Sequence, residues 1–313
     1  MAQVIREYPP RHLFAAATEA LPYSVHASGT PEFDRTVFDT GLVRVGAFRC
    51  SPSHPSFHDS GPAQNYCFVF PRTAVEIQHE HERVFAANPN VVTFYNRGQA
   101  YRRNAISREG DRCDWFGVQV DVVRDVVRAF DPAVDARPEW PFRFTRGWAD
   151  ADSYLLQRRI FDQVVKGMRK DPLAIEEAVV YLLERVVRSA YGTPTPAPYP
   201  FVGSRAREVV HHLELVLSER WGDRLTLRGV ASEVGMSAYH LCRLFRRATG
   251  MTLHHYRQQL HTRWSLESVM ESNRPLIDIA LEAGFSSHSH FTSTFHREFA
   301  QTPSSIRARQ GNR

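Results

Sequence analysis

The sequence predicts an α+β protein of more than one domain. A β-barrel or sandwich stands at the N-terminus, a helical dimerisation segment follows, and an all-α C-terminal domain is built on tandem helix-turn-helix units. Three observations lead there. Short β-branched and aromatic runs, broken by turn formers, fill roughly the first 120 residues; a Pro-rich stretch begins near residue 192; and beyond it one pattern of alanine, glycine, serine and aromatic recurs about 50 residues later. A length of 313 residues is also more than one hydrophobic core ordinarily organises.

The strand candidates are Leu42 to Phe48, Tyr66 to Phe70, Ala74 to Ile77 and Val91 to Tyr95. Their β-branched and aromatic residues suit a pleated, half-buried surface. Ser51-Pro52-Ser53, Ser60-Gly61-Pro62, Pro71-Arg72 and Asn88-Pro89-Asn90 supply the turns between them. The period then changes. Leu155, Leu156, Ile160, Phe161, Val164, Val165 and Met168 recur at helical spacing, and after Asp171-Pro172 so do Ile175, Val179, Leu182, Leu183, Val186 and Val187. Asp171 fits an N-cap with proline at the first helical position. Two such stripes can pack on the β domain or form a dimer seam, and the sequence leaves both open.

Gly192 to Pro200 reads as a semi-rigid linker. The expected division is a β-rich domain over 1–150, a dimerising helical hairpin over 151–191, a linker over 192–203 and a helical domain with two helix-turn-helix units over 204–313.

The last of these rests on two matching segments. In Leu227 to Phe245, Val230, Ala231 and Val234 form a small apolar face, Gly235 supplies a positive φ, and Ser237 can cap the next helix. On that second helix Leu241, Leu244 and Phe245 face inward, which leaves Tyr239, Cys242, Arg243 and Arg246 on the opposite face, free to enter a major groove. Ile277 to Phe295 repeats the design: Ala280 answers Ala231, Gly284 answers Gly235, Phe291 answers Leu241 and Phe295 answers Phe245. An apolar helix from about Leu253 to Met270 joins the two. Gly235 and Gly284 could each be a plain helix stop, and Phe245, Phe295 and Phe299 are core residues. The tandem arrangement is what makes the pattern specific.

On these motifs, with Thr302-Pro303 and Arg307 beyond them, residues 204–309 resemble the AraC/XylS family of transcription regulators. The resemblance implies that each unit places a recognition helix in successive major grooves, about 34–36 Å apart on one face of the DNA. Carried over by position, the base readers are Tyr239, Cys242 and Arg243 in the first unit, and His288, Ser289, His290, Thr292 and Ser293 in the second. Arg243 is the foremost of these, since a bidentate arginine–guanine contact discriminates strongly. Arg246, Arg247 and Arg297 are expected on phosphates, which position without specifying. Several positions depart from the family pattern: His261-Thr262 where Arg-Leu is common, Glu267 in a region usually more apolar, Ala300 where glycine is usual, and Ser293 where arginine is frequent in some members.

By arrangement rather than motif, residues 30–130 fit the cupin-like effector barrel of many such regulators. His79 and His81, with His54 or His58, are weak metal-ligand candidates, because His-x-His on a strand points both rings to one face. The glutamate a cupin metal site needs is missing at its place, so solvent-facing histidines near a turn are the expectation and no metal or other cofactor is assigned. Phe68, Phe70, Phe94, Tyr95, Tyr101, Trp115 and Phe116 could line a pocket or serve as core. Arg97, Arg102 and Arg103 could meet an anionic effector, whose binding residues remain unknown.

Charge supports the division. Residues 201–313 hold 15 Lys and Arg against 10 Asp and Glu, so the net charge of +5 lies there, with 9 of the 15 histidines. A basic module beside a neutral one points to a polyanion. No run is long enough to span a bilayer, no secretory signal is visible, and four cysteines without CxxC spacing suit a cytoplasmic chain. The expected partners are double-stranded DNA, a small-molecule effector, a second copy of the chain and, for an activator, RNA polymerase; no membrane is expected. The competing reading is a cupin-type metal-dependent enzyme fused to a DNA-binding domain.

Overall fold

The computed structural model describes residues 34–80, 82–166, 171–192, 203–220, 223 and 225–311. From Phe33 to Arg313 the chain forms one unit of contacts. Among the described residues its first half holds nine strands: β1 (Asp34–Asp39), β2 (Val43–Cys50), β3 (Cys67–Pro71), β4 (Val75–His79), β5 (Phe85–Ala87), β6 (Val91–Tyr95), β7 (Tyr101–Ala105), β8 (Asp111–Val118) and β9 (Arg146–Trp148). They pair antiparallel into a six-stranded sheet, β1-β2-β8-β3-β6-β9, and a three-stranded sheet, β5-β4-β7.

The cupin-like barrel expected from the sequence is therefore not closed. Among the described residues no ladder joins one sheet to the other, and side chains bridge the gap instead. Arg103 of β7 reaches Asp111 of β8 at 2.5 Å, and its guanidinium lies 4.3 Å from the ring centre of Phe48 on β2. Close approach within the large sheet is set by Gly46, which pairs with Trp115 across β2 and β8. A Cβ at Gly46 would lie 2.2 Å from the Trp115 ring, whose Nε1 donates to Asp34 at 2.7 Å.

The other face of the large sheet carries the main core. Phe68 stacks on Phe116 at 5.2 Å, and Phe70 meets Tyr154 edge-on at 6.3 Å. Tyr154 belongs to α2 (Ala151–Lys166), which follows α1 (Val120–Arg128) and precedes α3 (Pro172–Gly192). Asp171 accepts from the Leu173 amide at 3.1 Å, the cap the sequence signals. Ile175, Val179, Leu182, Leu183, Val186 and Val187 are all buried, so the stripe of α3 covers the protein's own core. Each such side chain contributes roughly 1.5–3 kcal/mol through burial. Leu173, Tyr181 and, on α2, Val165 stay exposed. Met168 and linker residues 193–202 lie outside the described residues.

The second half is helical: α4 (Ser204–Glu219), α5 (Leu227–Glu233), α6 (Ala238–Thr249), α7 (Leu253–Glu271), α8 (Leu276–Glu282), α9 (His288–Phe299) and α10 (Pro303–Gly311). Val210, Leu213, Leu217, Leu241, Phe245, Tyr256 and Leu260 make a compact core for α4 to α7. Phe285, Phe291, Phe295, Phe299 and Ile306 belong to a core that continues into the sheet-and-helix core of the first half.

Gly46→Ala is expected to destabilise the fold by about 1–3 kcal/mol, because Trp115 must leave its rotamer or the strand must shift. A lowered denaturation midpoint with red-shifted tryptophan fluorescence would show it.

Candidate nucleic-acid interface

The first helix-turn-helix unit is built by local rules. Thr226 caps α5 by accepting from the Gly229 amide at 3.1 Å, and Gly235 makes the turn at φ +63°. The Met236 amide donates back to the Ala231 carbonyl at 3.0 Å, and Ser237 caps α6 by accepting from the His240 amide at 3.3 Å. With Leu241 and Phe245 fully buried, α6 turns Tyr239, Cys242, Arg243, Arg246 and Arg247 to the outside. Tyr239 is 65% exposed, and Arg243 donates to its hydroxyl at 3.3 Å while lying 5.5 Å from its ring centre. The cation is thus held upright on the helix surface before any ligand arrives.

The second unit repeats the scaffold. Gly284 turns at φ +78°, the Phe285 amide donates to the Ala280 carbonyl at 2.9 Å, and Ser287 accepts from the His290 amide at 3.1 Å. The two units share a further device. His240 Nδ1 lies 3.0 Å from the Ser237 hydroxyl, and His290 Nδ1 lies 3.2 Å from that of Ser286. His288, Ser289, His290 and Ser293 are exposed and Thr292 is half-buried. Arg297 is exposed but donates to Gln258 of α7 at 2.7 Å. The sequence reading passed over His296, which is exposed one turn beyond Thr292 on the same face. The 3.6-residue period from His288 would have found it.

Helices α6 and α9 end differently. Gly250 takes the left-handed conformation after α6 at φ +75°. After α9 the same conformation falls on Ala300 at φ +52°, which is the positive-φ residue other than glycine among those described.

The N-terminal half carries a second feature, between its two sheets. Along β4, Val75, Ile77 and His79 point inward, so His79 is fully buried and not solvent-facing as the sequence suggested. Among the described residues neither ring nitrogen has a hydrogen-bond partner. Burial pushes the imidazole down to about 4, so it is neutral. It stacks against Phe85 at 6.1 Å and lies 4.8 Å from Tyr95 and 6.2 Å from Tyr101. Burial likewise pushes the Tyr101 phenol up to about 12. Arg103, an expected effector contact, is buried and already neutralised by Asp111, while Arg97 and Arg102 are exposed. Phe68, Phe70, Phe94 and Phe116 are core on the helix side of the sheet. Among the described residues no group of three or more His, Cys, Asp or Glu is placed to hold a metal ion; His81 lies outside them. The four cysteines are free, with Cys242 exposed on α6. No described helix is long and apolar enough to cross a membrane.

A family model described as a helix-turn-helix domain matches residues 230–309. Regulatory protein SoxS of Salmonella typhimurium is 32% identical over 103 residues, which are 33% of this chain and 96% of SoxS. The Right origin-binding protein of Escherichia coli (strain K12) is 33% identical over 99 residues, or 32% of this chain, and the match spans 34% of that relative's length. Among solved structures, a transcriptional regulator with an AraC-type DNA-binding domain from Chromobacterium violaceum is 25% identical; it covers 34% of this chain and 96% of its own, with a TM-score of 0.32.

Two outcomes are expected from this geometry. Left-handed backbone costs an L-residue about 1–2 kcal/mol, and the extra freedom of unfolded glycine offsets about 0.5–1 of that. Ala300→Gly should therefore raise stability by about 0.5–1 kcal/mol, read as a higher urea midpoint at unchanged slope. His79 gives a pH dependence. An unfolded histidine takes its proton near pH 6.5, which the buried ring refuses until about pH 4. Stability is thus complete above about pH 6.5 and falls by about 3 kcal/mol as pH drops to about 4. Unfolding curves of His79→Phe should lack this component across the same window.

Proposed function

The chain belongs to the AraC/XylS family of transcription regulators and binds DNA through its helix-turn-helix domain, and on that premise we propose that α6 and α9 read bases in successive major grooves under the control of a small molecule held by the N-terminal half. The observation that carries the reading is the pair of matched scaffolds. Each buries its aromatic side and turns a polar recognition face outward, with Arg243 standing on Tyr239 in the first. Arg243 reads a guanine, Tyr239 and Cys242 contact its neighbours, and Arg246 and Arg247 rest on phosphates. His288, Ser289, Thr292 and Ser293 make the lighter contacts of the second unit. His290 and Arg297 need to exchange their present partners, Ser286 and Gln258, for DNA.

Support for a ligand comes from His79. A neutral imidazole offers one donor and one acceptor, and at full burial neither meets a partner among the described residues. An uncharged molecule with a hydroxyl or amide among the rings of Tyr95, Tyr101 and Phe85 satisfies them. In this reading the protein works in the cytoplasm, two copies pair through the outer faces of α2 and α3, and an activating complex engages RNA polymerase.

The test selects genomic fragments with the full chain, wild type and Arg243→Ala, at two salt concentrations. Wild type should recover a defined site, and the variant should lose about 1–3 kcal/mol of discrimination at one base pair with a similar salt slope. Selection no better than a salt-sensitive background for wild type would defeat the reading.

A further inference from the structure

Helices α6 and α9 can be laid on one another residue by residue. Each has 12 residues and follows a capping serine, and the buried Leu241, Phe245 and Thr249 of one answer the buried Phe291, Phe295 and Phe299 of the other. The match holds on the inner side and fails on the outer one. Arg243 is answered by Ser293, and Arg246, assigned above to a phosphate, is answered by His296. The half-buried Ala238 is answered by His288, which is exposed. Arg247 is answered by Arg297, but that guanidinium donates to Gln258 of α7 at 2.7 Å. The outer face of α6 thus carries three permanent cations. That of α9 carries one, already engaged, with imidazoles at His288, His290 and His296.

His296 is exposed and makes no hydrogen bond or ion pair among the described residues. The charged groups on α9 and on the elements packed against it (α2, α7, α8 and α10) have other partners. Glu298 of α9 turns inward to Arg263 of α7 at 3.2 Å, and Glu267 and Glu271 of α7 are held by Arg72 and Arg158. Arg257 of α7 donates to the Asp223 carbonyl. On α8 Glu282 pairs with Arg274 at 2.6 Å, and on α2 Asp162 pairs with Lys166 at 2.6 Å while Arg159 donates to Gln301 at 2.8 Å. Arg307 of α10 donates to the Arg274 carbonyl at 2.7 Å, and Arg309 to Gln301 at 3.0 Å. Asp278 of α8 and the first-turn His254 and His255 of α7 are exposed, and none of them pairs with His296. No carboxylate among the described residues therefore competes with a phosphate for this ring.

Histidine is the side chain that ordinarily changes charge between about pH 5 and 8, whereas arginine stays charged throughout. A phosphate beside an imidazole favours the charged form, so a contact of this kind takes up a proton as it forms. We propose that His296 is the phosphate contact of the second unit, the counterpart of Arg246 in the first, and that it makes the second unit's hold on DNA proton-dependent; the inference rests on the regulator reading above. His288, at the start of the same helix, acts in the same direction. Arg243, Arg246 and Arg247 hold the first unit on the duplex at every pH near neutrality, and the second closes on its half-site as the pH falls. His79 works with the opposite sign, since acid lowers the stability of the fold through that ring while raising the affinity for DNA through His296.

The test measures binding of the full chain to the selected operator fragment at about pH 8 and about pH 6, at fixed ionic strength. Wild type should bind more tightly at the lower pH, and His296→Gln should lose about fivefold of that gain. His296→Arg should bind about fivefold more tightly than wild type at about pH 8 and lose the same part of the pH dependence. At about pH 6 the salt slope of wild type should exceed that of His296→Gln by about 0.9, and at about pH 8 the two should nearly agree. On a fragment whose second half-site is scrambled, wild type and His296→Gln should show the same dependence on pH. The side chain is exposed, so neither variant disturbs the core. An equal gain on acidification for wild type and His296→Gln would overturn the proposal, as would His296→Arg that keeps the full pH dependence. Should wild type select no operator, the regulator reading fails, and salt slopes on a random-sequence duplex at the two pH values still decide whether His296 meets phosphate.

Discussion

Along α7, Tyr256 and Leu260 are fully buried in the core of the first helix-turn-helix unit, while Leu266, Val269 and Met270 sit in the core that the second shares with the N-terminal half. One helix serves both cores, so any rotation of α7 is felt by both recognition helices. The buried guanidinium of Arg263 fixes that rotation. It donates to the Pro89 carbonyl at 2.8 Å and pairs with Glu298 of α9 at 3.2 Å, with the Tyr154 ring 5.3 Å away. A single cation therefore touches the β half, the second recognition helix and α2. Arginine suits the place because its planar fork can serve several acceptors at once.

The acids of the C-terminal half follow the same logic. Glu267 and Glu298 turn inward to arginines, Glu271 pairs with Arg72 and Arg158 from an exposed position, and Glu214 is buried beside Arg146. Arg243, Arg246 and Arg247 meanwhile stay on the outer surface of α6. The modest net charge in the sequence thus understates the polarity of the surface offered to a polyanion. The acids that turn to the junction leave the outer surface of α6 to its three arginines.

Much of the C-terminal half was legible in the sequence because its determinants are local. A glycine at positive φ, a capping serine and apolar residues at helical spacing each act within one or two turns, and both units obey them. The N-terminal half was read less well, for a physical reason. Strands β7 (Tyr-Arg-Arg-Asn-Ala) and β8 (Asp-Arg-Cys-Asp-Trp-Phe-Gly-Val) turn polar residues inward, where Arg103 meets Asp111 and Asp114 meets Arg158. Pairing across sheets and helices replaces the apolar alternation that marks a strand. The same cause hid His79 and made Glu267 look like an exception, since each is explained by partners or neighbours remote in the chain. Residues proposed to touch DNA were easier to name, because an outward face needs only the helical period.

Ala300 bears on how the two units meet a duplex. A helix closed by glycine holds its last turn without strain, whereas one closed by a left-handed alanine opens that turn at lower cost. Fraying therefore starts more readily at the end of α9 than at the end of α6. If α6 and α9 each meet a duplex as proposed, the second unit is the one whose helix end can give to fit it.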